Sequence, residues 1–448
     1  MRWTCTLLFV VACSAPPPAA DLGDLYTRAA QHHGPERNPV IVIPGILGSR
    51  LVAGDQVVWG AFGGGSADPK KPADARLLAL PMNDPNAEDG VRVDGALDRV
   101  RLNVLGLPVQ LSAYAQILQT LGAGGYRDQQ LAQAGAVDYG DDHFTCFQFA
   151  YDWRRDNIEN ARRLHEFIVE KKAFVTKELE KRYGKLDKEV RFDIVAHSMG
   201  GLVTRYYMRY GTAEPGGPIT WAGTQHVERA FLVGTPNAGS AAAVHQLVRG
   251  TQLAPILPKY PPALLGTYPS IYQLMPRTRH GSTVAGDERV DVFDPQVWID
   301  RGWGLADPNE SGTLEKLLPD VSAEERRTRA LAHQRWCLER AKAFHAALDV
   351  KAAPPPNASL YLFAGDAVQT PAVFDAEARD FTTYAPGDGT VTRSSALMDE
   401  RIGRAWMPML ESPITWRQVV FLFRDHIGLT KDAQFADNVL YLLLEAPR

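Results

Sequence analysis

The chain has 448 residues, with 48 Lys and Arg against 52 Asp and Glu, a formal net charge of −4. That near balance gives no basis for binding nucleic acid, and 45% hydrophobic residues suffice for a large core. The length fits two or three domains, or one large α/β domain with insertions.

The N-terminus reads MRWTCTLLFVVACSAPPPAADLGD. Arg2 supplies a minimal positive charge, Leu7 to Val11 a short apolar core, and Val10-Val11-Ala12-Cys13 resembles a lipobox. A mature membrane span needs about 20 apolar residues, so this stretch reads as a processing signal. Residues 1–12 are expected to be a signal peptide, with Cys13 as the lipidation site and residues 13–38 as a tether. On that reading the protein is exported and anchored in the cell envelope; with an ordinary secretory signal it is secreted or periplasmic. Besides Cys5 and Cys13, only Cys146 and Cys337 occur, without metal-ligand spacing, and they are expected to be buried free thiols. Neither a metal nor a cofactor is implied.

Along the chain, short apolar runs bounded by turn residues mark buried strands of a parallel sheet. The first follows Asn38 (NPVIVIPG), and the second is Phe144 to Tyr151. The others are Val190 to Val195, Ala230 to Val233, Leu360 to Ala364 and Val419 to Phe423. Helical patterns lie between them. Asn160 to Tyr183 carries Leu164, Phe167, Ile168 and Phe174 on one face. Ser322-x-x-Glu325 is a capping box opening a segment whose Cys337, Ala341, Phe344 and Leu348 recur at helical spacing. Strands alternating with helices predict an α/β fold with a mostly parallel sheet.

Two stretches break the rhythm. Residues 52–100 are loop-like and polar with apolar outposts, and residues 240–320 are rich in Pro, Gly and aromatics. Both are too long for plain connections and are read as a lid and a cap. Trp59, Phe62, Tyr272 and Trp303 within them are candidates for binding acyl chains or docking on a bilayer. For any single one, a place in the core is at least as good a reading.

The stretch Ala196-His197-Ser198-Met199-Gly200 lies between an apolar strand and a helical segment. A nucleophile elbow requires small residues on either side of the serine because strand turns sharply into helix. Ala196, Gly200 and Gly201 meet that need, which makes Ser198 a candidate nucleophile. A serine attacks poorly without a base and a carboxylate that orients it, in the chain order Ser, Asp or Glu, His. Of the later histidines, His333 and His345 sit inside a long helix and His280 in the cap. His426 follows the last strand and is the candidate base. Asp366 and Asp388 both follow the strand Leu360 to Ala364. The tight turn Gly387-Asp388-Gly389-Thr390 favours Asp388, although sequence geometry alone leaves the two open. Two backbone N–H groups must receive the developing oxyanion. Met199 follows the nucleophile, and Ile46 in Pro44-Gly45-Ile46-Leu47-Gly48 follows the first strand.

Several motifs together resemble the lecithin:cholesterol acyltransferase family. They are VIPGILGSRL (42–51), FAYDWRRD (149–156), DIVAHSMGGLV (193–203), RAFLVGTPNAGS (229–240), YPSIYQLMP (268–276), GDGTV (387–391) and DHIGLTKDAQFADNVL (425–440). They run in order from about residue 39 to 445, so the resemblance spans nearly all the mature chain. The resemblance implies an α/β-hydrolase core with a Ser-Asp-His triad, a lid and a cap. Matched residue by residue, the triad falls on Ser198, Asp388 and His426, with Ile46 and Met199 at the oxyanion. Eukaryotic members carry a disulfide across the lid, whereas residues 52–100 contain no cysteine, so lid anchoring is expected to differ. The implied function is a lipid O-acyltransferase or phospholipase with an acyl-lipid substrate at a membrane or lipid surface. The alternatives are a carboxylesterase or triacylglycerol lipase that only hydrolyses, and a lipid-binding surface lipoprotein without catalysis.

Overall fold

The computed structural model describes residues 20–447, apart from 33, 63–65, 83, 85–86, 98, 105–106, 113, 132–142, 253–256 and 406. The side chains of residues 62 and 98–113 are also outside the described set, as is Cys13.

The six apolar runs become the six strands of one parallel sheet: β1 (Val40–Ile43), β2 (Cys146–Gln148), β3 (Phe192–His197), β4 (Val227–Val233), β5 (Ser359–Gly365) and β6 (Trp416–Leu422). Their spatial order is β6-β5-β4-β3-β1-β2, and every pairing is parallel. Each residue of β1 and β3 is buried, because helices cover both sheet faces and leave no side for polar residues. Val42 pairs with Val195 and Val195 with Phe231, which puts β3 in the interior of the sheet.

Helix α1 (Asn157–Tyr183) begins where the Asp156 carboxylate accepts from the Ile158 N–H at 2.9 Å. Helix α2 (Met199–Tyr210) continues straight from β3 and is buried along its whole length. Helix α3 (Ala323–Asp349) is capped by Ser322, whose hydroxyl accepts from the Glu325 N–H at 3.2 Å. Its stripe Cys337, Ala341, Phe344 and Leu348 is fully buried. His333 and His345 on the same helix are buried too, and each donates from Nε2 to a carbonyl, Thr267 and Gln273 respectively. They are packing residues that tie α3 to the 267–273 segment. Cys146 and Cys337 are both free and buried.

The stretch read as loop-like holds regular structure. Ser49–Ala53 pairs with Gln56–Trp59 and with Arg92–Ala96, a seven-residue helix spans Pro72–Leu78, and Arg99–Val104 pairs with Leu107–Ser112. Of these strands, Arg99–Val104 does alternate polar and apolar residues, a strand signal that the loop-like reading passed over. Residues 240–320 form short helices whose aromatics point inward: Tyr268, Tyr272, Trp298 and Trp303 are all buried. A hairpin of Val368–Asp375 and Asp380–Gly387, for which the apolar runs give no signal, carries the chain to Asp388.

No cysteine anchors the 52–100 insertion; a buried arginine does. Arg154 Nη1 donates to the Leu77 and Leu78 carbonyls at 3.0 and 3.2 Å, at the C-terminal end of the Pro72–Leu78 helix. A cation there also meets the negative end of the helix dipole. Its Nη2 reaches both Asp152 at 2.7 Å and Asp89 at 2.6 Å. Burial alone would push the Asp152 carboxyl up, but Arg154 and Arg155 hold it below the usual carboxylate range.

Candidate active site

Ser198 stands at the carboxyl end of β3, at φ 53° and ψ −126°, a conformation that costs a residue bearing a Cβ roughly 1–3 kcal/mol. The site is built to hold it there. The Ser198 N–H donates to the Val233 carbonyl of β4 at 2.8 Å. On the other side, a Cβ placed on Gly45 would lie 2.7 Å from that of Ser198, and one on Gly200 would lie 2.5 Å from the Pro44 carbonyl. Glycine at these two positions lets the loop after β1 close against the elbow.

Ser198, His426 and Asp388 form one hydrogen-bonded line. Asp388 is 1% exposed at the end of the hairpin, where its Oδ1 accepts from the Thr390 and Val391 N–H groups at 2.9 and 2.7 Å. Burial alone would raise its pKa, but His426 and those two N–H groups hold the carboxyl below its ordinary range. It therefore stays ionised and can only accept, so His426 donates from Nδ1 to Asp388 Oδ2 at 2.7 Å. That leaves Nε2 as the acceptor for the Ser198 hydroxyl, at 3.0 Å. Asp366 is not part of this line. Its nearest charged partner is Arg393, at 3.8 Å. His280 pairs with Glu400 instead, at 3.1 Å.

The loop Pro44 to Gly48 is held at several points. The Gly45 N–H donates to the Tyr114 hydroxyl at 2.8 Å, and the Tyr151 hydroxyl donates to the Pro44 carbonyl at 2.9 Å. Leu47, in a left-handed conformation at φ 65°, has its carbonyl bonded by the Trp59 indole N–H at 2.9 Å. Met199 is the first residue of α2, where a backbone N–H has no intrahelical acceptor.

The four candidate acyl contacts divide differently. Trp59 is 5% exposed, packs edge-on against Trp153 and Tyr260, and braces the Leu47 peptide. Tyr272 and Trp303 are fully buried in the main core, each against Trp298. Aromatic groups of that size gain most from full burial, which is why the chain uses them as core. Phe62 has its side chain outside the described residues.

Residues beside the site that sequence reasoning missed include His197, Tyr114, Phe423 and Ile427. His197 lies inside the elbow motif, but nothing in the text of the motif indicates what it bonds. Phe423 and Ile427 flank the His426 loop and are 74% and 43% exposed. Among the described residues, no cluster of three or more His, Cys, Asp or Glu could hold a metal ion, and no helix is long and apolar enough to cross a membrane.

A six-stranded parallel sheet flanked by helices, with a serine at the strand-to-helix turn, is an α/β-hydrolase core. Within that class, residues 96–293, less than half of the chain, match the model of the lecithin:cholesterol acyltransferase family. Over that segment the chain is similar to the family, and the coarse reading this likeness supports is a lipid-ester hydrolase or acyltransferase. The matched segment includes Ser198 and leaves Ile46, Asp388 and His426 outside. No curated protein matches the sequence. Among solved structures, the Tle4–Tli4 complex is similar at 16% identity and a TM-score of 0.53, over 92% of this chain and 99% of that one, a likeness of fold. The mature form of the Bacillus licheniformis lipase BlEst2 aligns at 13% identity and a TM-score of 0.34, over 92% of this chain and 94% of that one. The Staphylococcus hyicus lipase also aligns at 13% and 0.34, over 92% and 98%.

Proposed function

We propose that the chain is a serine-dependent lipid acyltransferase or phospholipase working through an acyl-enzyme. The observation that carries this reading is the line from Ser198 through His426 to Asp388, with each hydrogen bond at 3.0 Å or less. His426 takes the Ser198 proton as the serine oxygen attacks an ester carbonyl. The oxyanion is received by the Met199 and Ile46 N–H groups. On collapse, His426 returns the proton to the leaving alkoxide, and the acyl group stays on Ser198. Water or an alcohol, deprotonated by His426, then attacks the acyl-enzyme and frees the serine. The exposed Phe423 and Ile427 beside the base favour a lipid over a small soluble ester.

The export signal and Cys13 motif support an envelope-anchored lipoprotein. The reading is tested with phospholipid vesicles, with and without a sterol acceptor. Wild-type protein releases acyl groups and Ser198→Ala loses at least about 10⁴-fold in turnover; an active Ser198→Ala variant removes the nucleophile. Free fatty acid as sole product removes transfer and leaves hydrolysis. For the anchor, Cys13→Ser should release the protein from membranes, and unchanged fractionation removes lipidation.

A further inference from the structure

We propose that Tyr114 and His197 are positioning residues, joining the Pro44–Gly48 loop to the His426 loop through one buried hydrogen-bond chain. The inference rests on the roles assigned above to Ser198, His426 and Ile46, and adds what keeps them in register.

The direction of each link follows from the chemistry of its atoms. The His426 carbonyl can only accept, so His197 must carry its proton on Nε2 and donate across 3.0 Å. His197 is 2% exposed, and burial, reinforced by the neighbouring His426, pushes its pKa down to about 3. The ring is therefore neutral, and Nδ1 is an acceptor. The group that meets it is the Tyr114 hydroxyl, at 3.3 Å. Burial pushes that phenol up to about 12, so it keeps the proton it donates. Its oxygen in turn accepts from the Gly45 N–H at 2.8 Å.

The chain thus runs one way: Gly45 N–H to Tyr114, Tyr114 O–H to His197, His197 N–H to the His426 carbonyl. One end is the N–H of Gly45, one residue before Ile46, and the other is the backbone of the base itself. His197 also neighbours Ser198 in sequence, so the same residue borders all three parts of the reaction. The rings also touch, Tyr114 and His197 edge-on at 5.6 Å and His197 and His426 tilted at 4.7 Å. Reactive groups placed about 1 Å wrong can lose about 100-fold in rate, so a link that fixes two loops at once acts on the chemical step.

A packing role predicts something different, because Tyr114→Phe keeps the ring and removes only the hydroxyl. The test is steady-state turnover of a soluble short-chain p-nitrophenyl ester by the full chain. The variants are Tyr114→Phe, His197→Leu, His197→Gln and Tyr114→Phe/His197→Leu, with Ser198→Ala as reference. Tyr114→Phe is expected to lower kcat about tenfold with KM within about twofold. His197→Leu should lose at least as much. Glutamine, whose amide N–H can reach the His426 carbonyl, should recover part of that loss. The double variant should be no slower than His197→Leu alone, since a chain broken once is already broken. Wild-type kcat in Tyr114→Phe, losses that multiply, or a glutamine that recovers nothing overturns the proposal. Should His197→Leu fail to fold, Tyr114→Phe decides alone. An active Ser198→Ala would instead sink the underlying nucleophile reading; an inactive one beside an unimpaired Tyr114→Phe sinks only the chain.

Discussion

Asp152 and Asp388 are both buried aspartates, 5% and 1% exposed, and both are held ionised against the pull of burial. Their partners differ. Asp152 faces Arg154 and Arg155 and so holds in place the Arg154 guanidinium that bonds the 52–100 insertion. Asp388 faces an imidazole whose far nitrogen is free to take a proton from Ser198. One pair can only hold, and the other can hold and react. The carboxylate is the same, so chemistry at these sites is decided by what the partner can do with a proton.

The largest effect expected from breaking this contrast is at Asp388. Asp388→Asn keeps the shape but can donate to His426 Nδ1, favouring the wrong tautomer, and kcat should fall roughly 10⁴-fold with little change in Tm. Retained turnover in a correctly folded variant would remove Asp388 from the reaction. Arg154→Met sharpens the other side. It leaves Asp152 and Asp89 without their main partner and should cost about 3–5 kcal/mol in chemical denaturation. The kcat of the variant that remains folded should stay within about twofold. A stability loss under about 1 kcal/mol would show that the guanidinium is not the anchor.

The effect spread most gradually is a pH dependence. Burial pushes His197 and His345 down to about 3 and His333 to about 4, with help from neighbouring His426 and Arg277 for the first two. Below about pH 6.5 the unfolded chain binds protons at these histidines and the folded one does not. Stability therefore falls with falling pH, by up to about 1.4 kcal/mol per pH unit for each histidine, until the folded values are reached. Glu400 has the same sign. Burial would raise it, but Arg279 and His280 bring it to about 2, so its contribution is lost as pH falls below about 4.5. Tm should drop steadily between pH 7 and about 4; a flat profile would mean that the histidines are not buried neutral.

The six apolar runs were enough to find the six strands, because the inner strands of a parallel sheet covered on both faces leave an uninterrupted apolar signature, which weakens only at the edge strand β6. The elbow was legible for a related reason, since small residues flank a serine at only a few kinds of turn. The hairpin before Asp388 was not legible. Its outer strand, Asp380–Gly387, is mostly exposed and polar, so no burial pattern marks it. For Trp303 and Tyr272 the sequence left substrate contact and core open, because an aromatic in a Pro- and Gly-rich stretch looks the same in either place; both are buried.

The sequence by itself determined the order of strands and helices, the strained serine between two small residues, and the candidates Asp388 and His426. Those properties are local: apolar runs, turn residues and spacing along the chain. Only the tertiary structure put Asp388 within hydrogen-bond reach of His426, joined Tyr114 to His197 and set Arg154 beneath the insertion. Asp388 and His426 are 38 residues apart, and His426 and Ser198 are 228 apart. Hydrogen bonds a few ångströms long between such residues depend on how the sheet brings their loops together, which no short stretch of sequence encodes.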